Sequence, residues 1–153
     1  FLTMEMTAQL KFRELRTDDL SGILSSEQEY LTDPNICLRS VKEDVAKSLH
    51  SGMSFGAFLN DVPIAYNLCY GNEYCIGFVE KCFVHPSYRG RGLQSTLLMM
   101  NMAAMMNRGI IAAYALTSPN NPWSLRNFKA RGFEVVGKTE IEGYKRLILR
   151  NGN

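Results

Sequence analysis

The chain has 153 residues, 46% of them hydrophobic and 21% charged, the mixture of one globular domain with room for a sizeable core. A formal net charge of +2 offers no basic field for nucleic acid, and the apolar stretch 97–106 is too short to cross a bilayer, so neither partner is expected. Cys37, Cys69, Cys75 and Cys82 form no C-x-x-C pair and have no histidine at metal spacing, which predicts free thiols, no metal and a reducing, cytoplasmic setting.

Residues 1–9 lack the basic and apolar segments of a signal peptide and read as an expression remnant or a truncated, disordered start; 10–153 read as a single domain. Residues 10–16 alternate as a first strand, and Thr17-Asp18-Asp19 reads as the N-cap of a helix reaching about Leu31. Asp33-Pro34-Asn35 breaks that helix. Ser40-Val41-Lys42-Glu43 reads as a capping box opening a short helix to Leu49. Strands at 54–59, 62–70 and 74–84 follow, joined at Asn60-Asp61 and Gly71-Asn72 by two-residue turns, as a meander. The helix Leu93–Asn107 is apolar nearly all round, and burial against a sheet explains its methionines better than a ligand surface does. Gly109 ends it, 110–116 reads as a parallel strand buried on both faces, and Asn121-Pro122 starts a helix through Ala130. Strands 133–141 and 144–150 close the chain as a hairpin about Glu142-Gly143.

Chemistry concentrates at Glu80-Lys81-Cys82-Phe83-Val84-His85-Pro86-Ser87-Tyr88-Arg89-Gly90-Arg91-Gly92-Leu93-Gln94, where a strand enters a basic, glycine-rich turn and a helix begins. Helix N-terminal amides lack intrahelical partners and carry the positive end of the dipole, so this junction suits a phosphate. Gly90 and Gly92 let it approach the backbone, and Arg89 and Arg91 add charge. Gly92-Leu93-Gln94 is not the Gly-Lys-Ser/Thr of a Walker loop, and the third glycine and later acid of a dinucleotide fingerprint are missing.

The stretch resembles the pyrophosphate loop of the GNAT superfamily of acyl-CoA-dependent N-acyltransferases, [QR]-x-x-G-x-[GA], with Arg89 first and Gly92 fourth. Gln94 departs from the Gly or Ala of the sixth position. Asn121-x-x-Ser124-x-x-x-Phe128-x-x-x-Gly132-Phe133 is similar to the family's later motif. The resemblance implies an α/β (α+β) GNAT fold: a mixed, mostly antiparallel sheet of about seven strands, splayed at a central parallel pair, with four helices. It also implies acetyl-CoA as co-substrate, a small-molecule or peptide amine as acceptor, direct attack, and a monomer or homodimer. Protein N-terminus, lysine and polyamine all stay open as acceptors. A non-catalytic acyl-CoA-binding or interaction module is the alternative.

By that resemblance pyrophosphate would sit on the amides of Arg89, Gly90, Arg91, Gly92, Leu93 and Gln94, and pantetheine would add as a strand along Cys82, Phe83 and Val84. Asn121, Ser124 and Phe128 would line the coenzyme's path, while Arg126 and Lys129 suit either its 3′-phosphate or a solvated helix face. Residues 80, 82 and 84 are expected on one face of their strand, so Glu80 is either the base that deprotonates the amine or an acid paired with a nearby cation. Cys82 reads as a buried thiol more than a nucleophile, His85 as a shaper of the loop and His50 as a helix-dipole partner. The family's usual acid, a tyrosine, is replaced by Phe128, so no acid is identified; Tyr114 and Tyr144 are substitutes of unknown distance, and water can protonate a departing thiolate unaided. Glu27, Glu29 and Tyr30 fall where acceptors would be chosen, without a readable pocket.

Overall fold

A computed structural model describes residues 9–152, so the expectation for residues 1–9 falls almost wholly outside the described residues. Seven strands form one sheet in the order β1-β2-β3-β4-β5-β7-β6: β1 (Leu10–Glu14), β2 (Phe55–Leu59), β3 (Val62–Gly71), β4 (Ile76–Val84), β5 (Ala112–Thr117), β6 (Glu134–Ile141) and β7 (Tyr144–Gly152). All neighbours are antiparallel except β4 and β5. Helices α1 (Leu20–Tyr30) and α2 (Lys42–His50) cover one face, and α3 (Leu93–Asn107) and α4 (Pro122–Ala130) the other.

Alternation along β3 builds the two cores. Tyr66 and Leu68 join Ile23 of α1, Val45 of α2 and Phe83 of β4, whereas Cys69 joins Leu98 and Met105 of α3, Phe128 of α4 and Leu149 of β7. Burying each large side chain fully contributes about 1.5–3 kcal/mol. Polar contacts fix the register of α3: Asn101 Nδ2 donates to the Met53 carbonyl at 2.7 Å, and its Oδ1 lies 3.0 Å from the Asn67 amide.

Several local readings shift. Thr17 is not an N-cap; Thr17–Asp19 is a 3-10 turn in which the Asp19 carboxylate accepts the Arg16 amide at 2.8 Å and pairs with Arg13 at 2.9 Å, so α1 starts at Leu20. The capping box at Ser40 is not formed, because α2 is led by Val41 with no side-chain cap and the serine faces two carboxylates instead. The turn after Gly71 is wider than two residues, since Asn72 Oδ1 accepts from the amides of Tyr74 and Ile76 and delays β4 to Ile76. The Asn60-Asp61 turn is tight, with both residues at positive φ. Helix α3 is covered on one side only: Met105 is buried while Met99 and Met106 stand exposed. Its end closes as anticipated around Gly109 at φ +76°, with the Ile110 amide bonded to the Met105 carbonyl at 3.0 Å.

Candidate active site

The site is made by a strand pair that separates. The β4–β5 ladder runs from Ile76↔Ala112 to Val79↔Ala115 and stops there. Beyond it β5 continues beside β7 through Leu116↔Ile148 and Thr117↔Leu147, and β4 beside β3. Residues 80–84 therefore present an edge with no β5 partner. Glu80 stands where the strands divide: Leu68 pairs with Lys81 and Cys69 with Val79, so Glu80 is the extra residue of a β-bulge. The bulge corrects the expected shared face of 80, 82 and 84. Glu80 and Lys81 both turn to the α1–α2 connector, while Cys82 packs with the α3 core and Val84 beside Leu93 and Leu97.

A cleft of about 540 Å³ fills the division. Glu80, Lys81 and Cys82 form one wall, Tyr114 to Ser118 another, and residues 36–41 with Ile141 and Glu142 its rim. Asn121, Ser124 and Phe128 of α4 line it, as does the buried Arg146. The connector is tied down across it. Arg146 donates to the Pro34 carbonyl at 2.6 Å, Ser118 Oγ to the Asn35 carbonyl, and Lys81 Nζ to the Leu38 carbonyl and, at 3.3 Å, to Cys37 Sγ. Arg39 reaches back to the carbonyls of Leu31 and Gln28.

Beyond the end of β4, Pro86–Tyr88 forms a 3-10 turn capped by His85, whose Nδ1 accepts the Ser87 amide at 3.0 Å. That leaves Nε2–H to donate to the Tyr30 hydroxyl, also at 3.0 Å, so His85 shapes the loop. Gly90 and Gly92 adopt φ +75° and +76°, and a Cβ on either would project into open space. Gly92 is the N-cap of α3 and supplies no side chain to its first amides, which leaves them to an anion. Leu93 is buried and anchors the turn, Arg89 is exposed, and Arg91 lies 5.5 Å from the Tyr88 ring centre. Gln94 turns inward: its Oε1 accepts from Asn127 Nδ2 at 3.1 Å and its Nε2 is buried beside the Cys82 thiol. The departure at the sixth motif position thus leaves the backbone face of the loop clear. Open glycines, uncapped amides and an unpaired strand edge fit a pyrophosphate ester with an extended amide-bearing arm.

The acidic side of the cleft is built from distant segments. Glu27, 2% exposed on α1, accepts the Ser40 amide on Oε1 at 2.6 Å and the Ser40 hydroxyl on Oε2 at 3.0 Å. The same hydroxyl lies 3.3 Å from Glu80 Oε2, and the Tyr66 hydroxyl 3.5 Å from Glu27 Oε2. Burial raises the Glu80 carboxyl above its ordinary range and the Glu27 charge adds to this, against the pull of Lys81. Burial draws Lys81 down, but the Cys37 sulfur and the carboxylates of Glu80 and Glu27 outweigh it and hold the ammonium. Glu80 is thus a carboxylate whose proton affinity is increased, facing a cleft wide enough for an amine.

Burial pushes the Cys82 thiol up to about 12, which removes it as a thiolate nucleophile. Asn121 directs its Oδ1 to the Ser124 amide at 3.2 Å as the cap of α4. Phe128, 2% exposed, meets Phe133 edge-on at 5.0 Å. Of the two substitute tyrosines, Tyr114 lines the cleft with its hydroxyl accepting from Arg150 Nε at 3.1 Å, and Tyr144 is not among the lining residues. Arg126, Lys129 and Glu29 are exposed and outside the lining, and His50 is exposed at the end of α2. Sequence reasoning missed Ser40, Lys81 and Arg146; the one available signal was a lysine beside Glu80 in a strand otherwise without charge. Among the described residues no three His, Cys, Asp or Glu side chains gather to hold a metal, and no helix is long and apolar enough to cross a membrane.

The family model described as "Acetyltransferase (GNAT) family" matches residues 11–133. No curated protein matches in sequence. Among solved structures, Arabidopsis thaliana Naa50 in complex with a bisubstrate analogue, CoA-Ac-MVNAL, superposes with TM-score 0.79 at 17% identity, covering 95% of this chain and 99% of that one. The Escherichia coli ribosomal-protein-S18-alanine N-acetyltransferase gives 0.73 at 16% identity, covering 93% and 92%. A PaiA N-acetyltransferase from Thermoplasma acidophilum with coenzyme A gives 0.67 at 17%, covering 94% and 99%.

Proposed function

The chain belongs to the GNAT acetyltransferase family, and from that premise we propose that it moves an acetyl group from acetyl-CoA to an amine by direct attack. The observation that carries this reading is the register of β4, which leaves 80–84 unpaired beside β5 and sets a carboxylate of raised proton affinity at the point of division. Amides at the start of α3 hold the pyrophosphate, and the free edge of Cys82–Val84 bonds the pantetheine arm as an added strand. That arm aims the thioester at the head of the cleft. The amine enters between the connector and the β6–β7 turn, Glu80 removes its proton, nitrogen bonds to the carbonyl carbon and the C–S bond breaks. Water protonates the thiolate.

Relatives named for peptide substrates make peptide N-termini the first acceptors to try, ahead of lysine peptides, polyamines and small amines. Four unpaired thiols suit a cytoplasmic enzyme. The test is release of free thiol from acetyl-CoA with that panel of amines, with acetylated product identified by mass. The alternative, a module that binds acyl-CoA without turnover, is favoured by one observation, the phenylalanine at 128. Coenzyme binding with no thiol release from any amine establishes the module; amine-dependent release establishes the enzyme.

A further inference from the structure

The Ser40 hydroxyl has one proton and stands between two carboxylates, at 3.0 Å from Glu27 Oε2 and 3.3 Å from Glu80 Oε2. The Ser40 amide also goes to Glu27, at 2.6 Å, so Glu27 draws both donors of that residue and Glu80 receives the longer contact. A hydroxyl that donates to Glu27 turns its lone pairs to Glu80. An ionised Glu80 gains nothing from a lone pair, whereas a protonated Glu80 donates to it. Helix α2 starts behind Val41 without a side-chain cap, and the serine before it faces the two carboxylates instead.

We propose that Glu27 and Ser40 are positioning residues for Glu80: Glu27 orients the Ser40 hydroxyl as an acceptor, and that acceptor holds the proton that Glu80 takes from the amine. The inference rests on the reading of Glu80 as the base. In the step concerned an N–H bond of the amine breaks and an O–H bond forms on Glu80, while the serine keeps its own proton directed to Glu27. Nothing else is exchanged.

Other groups face Glu80 and set the background. Lys81 on β4 favours its charge, while Asp44 on α2 and Glu27 on α1 oppose it. Tyr66 and Tyr70 on β3 are raised by burial and stay neutral, as do the buried thiols Cys69 and Cys82. Cys37 completes the connector side, against Lys81. None of these bridges the two carboxylates, so removing the bridge alone has a sign of its own.

The experiment is a carbon-13 titration of the Glu80 carboxyl in the whole protein, assigned by its loss in Glu80→Gln, alongside the pH profile of kcat/KM. Ser40→Ala and Glu27→Gln each move the Glu80 midpoint to lower pH, by roughly half a unit to one unit. The acid limb of the rate profile follows, KM for acetyl-CoA stays within about twofold, and Ser40→Thr restores the wild-type midpoint. A Ser40→Ala midpoint that stays fixed or rises overturns the proposal, because the hydroxyl was then idle or donating to Glu80. If Glu27→Gln does not fold, Ser40→Ala decides alone. The titration needs no turnover: a shifted midpoint in a protein that acetylates no amine supports the hydroxyl's role and defeats the acetyl-transfer reading, and an unshifted midpoint in an active enzyme does the reverse.

Discussion

The two ends of the cleft are made differently. The end proposed for the phosphates is one continuous stretch, from the bulge at Glu80 through Gly92 into α3, and the groups it offers are backbone amides. The acidic end draws Glu27 from α1, Ser40 from the connector, Lys81 from β4 and Arg146 from β7, and its working atoms are side chains. A backbone site is encoded by local conformation, so glycines at fixed spacing announce it. A side-chain site assembled across 120 positions of chain, from Glu27 to Arg146, announces nothing until the fold brings it together. The ends should therefore fail separately, the first in coenzyme affinity and the second in turnover.

The largest separation is expected at Glu80. Glu80→Gln keeps the shape and removes the proposed base, so kcat is expected to fall by roughly 10²–10⁴-fold with coenzyme affinity unchanged, the deficit narrowing at high pH where the amine is already neutral. Rate profiles with calorimetric titration of CoA read both quantities. An unchanged rate at neutral pH would remove Glu80 from the mechanism.

At the other end, Gly92→Val forces a branched residue into φ +76° at the head of α3. A cost of about 1–2 kcal/mol at that one position appears as KM for acetyl-CoA raised by roughly tenfold, with kcat preserved at saturation. Gln94 sharpens the point. Its side chain bonds Asn127 rather than the loop face, so Gln94→Ala changes CoA affinity by no more than about twofold. A Gln94→Gly protein that gains CoA binding absent from the wild type would show that the glutamine obstructs the loop.

Much of this architecture was legible because its determinants are local. Gly109 ends α3, Asn60-Asp61 turns a tight hairpin, and both glycines of the loop take the left-handed conformation that their place before a helix requires. The readings that failed were overridden by tertiary partners. Ser40 has the sequence of a capping box but answers to two carboxylates, one 13 and the other 40 positions away. The face of Glu80 was misjudged because a bulge is invisible to period-two counting, and it turned the residue from the Cys82 side towards the connector. The methionines of α3 belong partly to the surface, since helix periodicity cannot separate a helix covered on one side from one covered on two when every side is apolar.

The same carboxylate should cost stability. Burial, with the Glu27 charge, holds the folded Glu80 above the ordinary carboxyl value of about 4.3. Between those two values the folded chain binds more protons than the unfolded one, so this group's contribution to stability declines as pH rises through the window. Glu80→Gln lacks the decline. Its melting temperature should exceed that of the wild type at pH 7, with the gain shrinking towards pH 4. Thermal melts at the two pH values check this, and a variant less stable at pH 7 would mean that the attraction of the Lys81 charge outweighs desolvation.

The smallest effect is expected at Phe128, where the family's usual phenol is absent. The ring lies on the cleft wall yet is 2% exposed, edge-on to Phe133 and inside the core shared with Leu149. Phe128→Tyr adds a hydroxyl that must reach the cleft or remain buried without a partner, at about 1–3 kcal/mol. Even in the cleft it has little to improve. A thiol of ordinary pKa, about 8.5, leaves as the thiolate without a donor, because its conjugate acid is far stronger than that of an alkoxide. Tyr114 already presents a phenol to the cleft, but that oxygen accepts from Arg150 and is directed to the far edge of β5. Phe128→Tyr and Tyr114→Phe should therefore each leave kcat within about threefold of wild type, a span of under 1 kcal/mol in the barrier. Steady-state rates at saturating acetyl-CoA measure it. A gain of several orders of magnitude in Phe128→Tyr would show that thiolate departure limits the native chain, and would turn the comparison around: the phosphate end would then be the functional one, in a protein that holds acyl-CoA without consuming it.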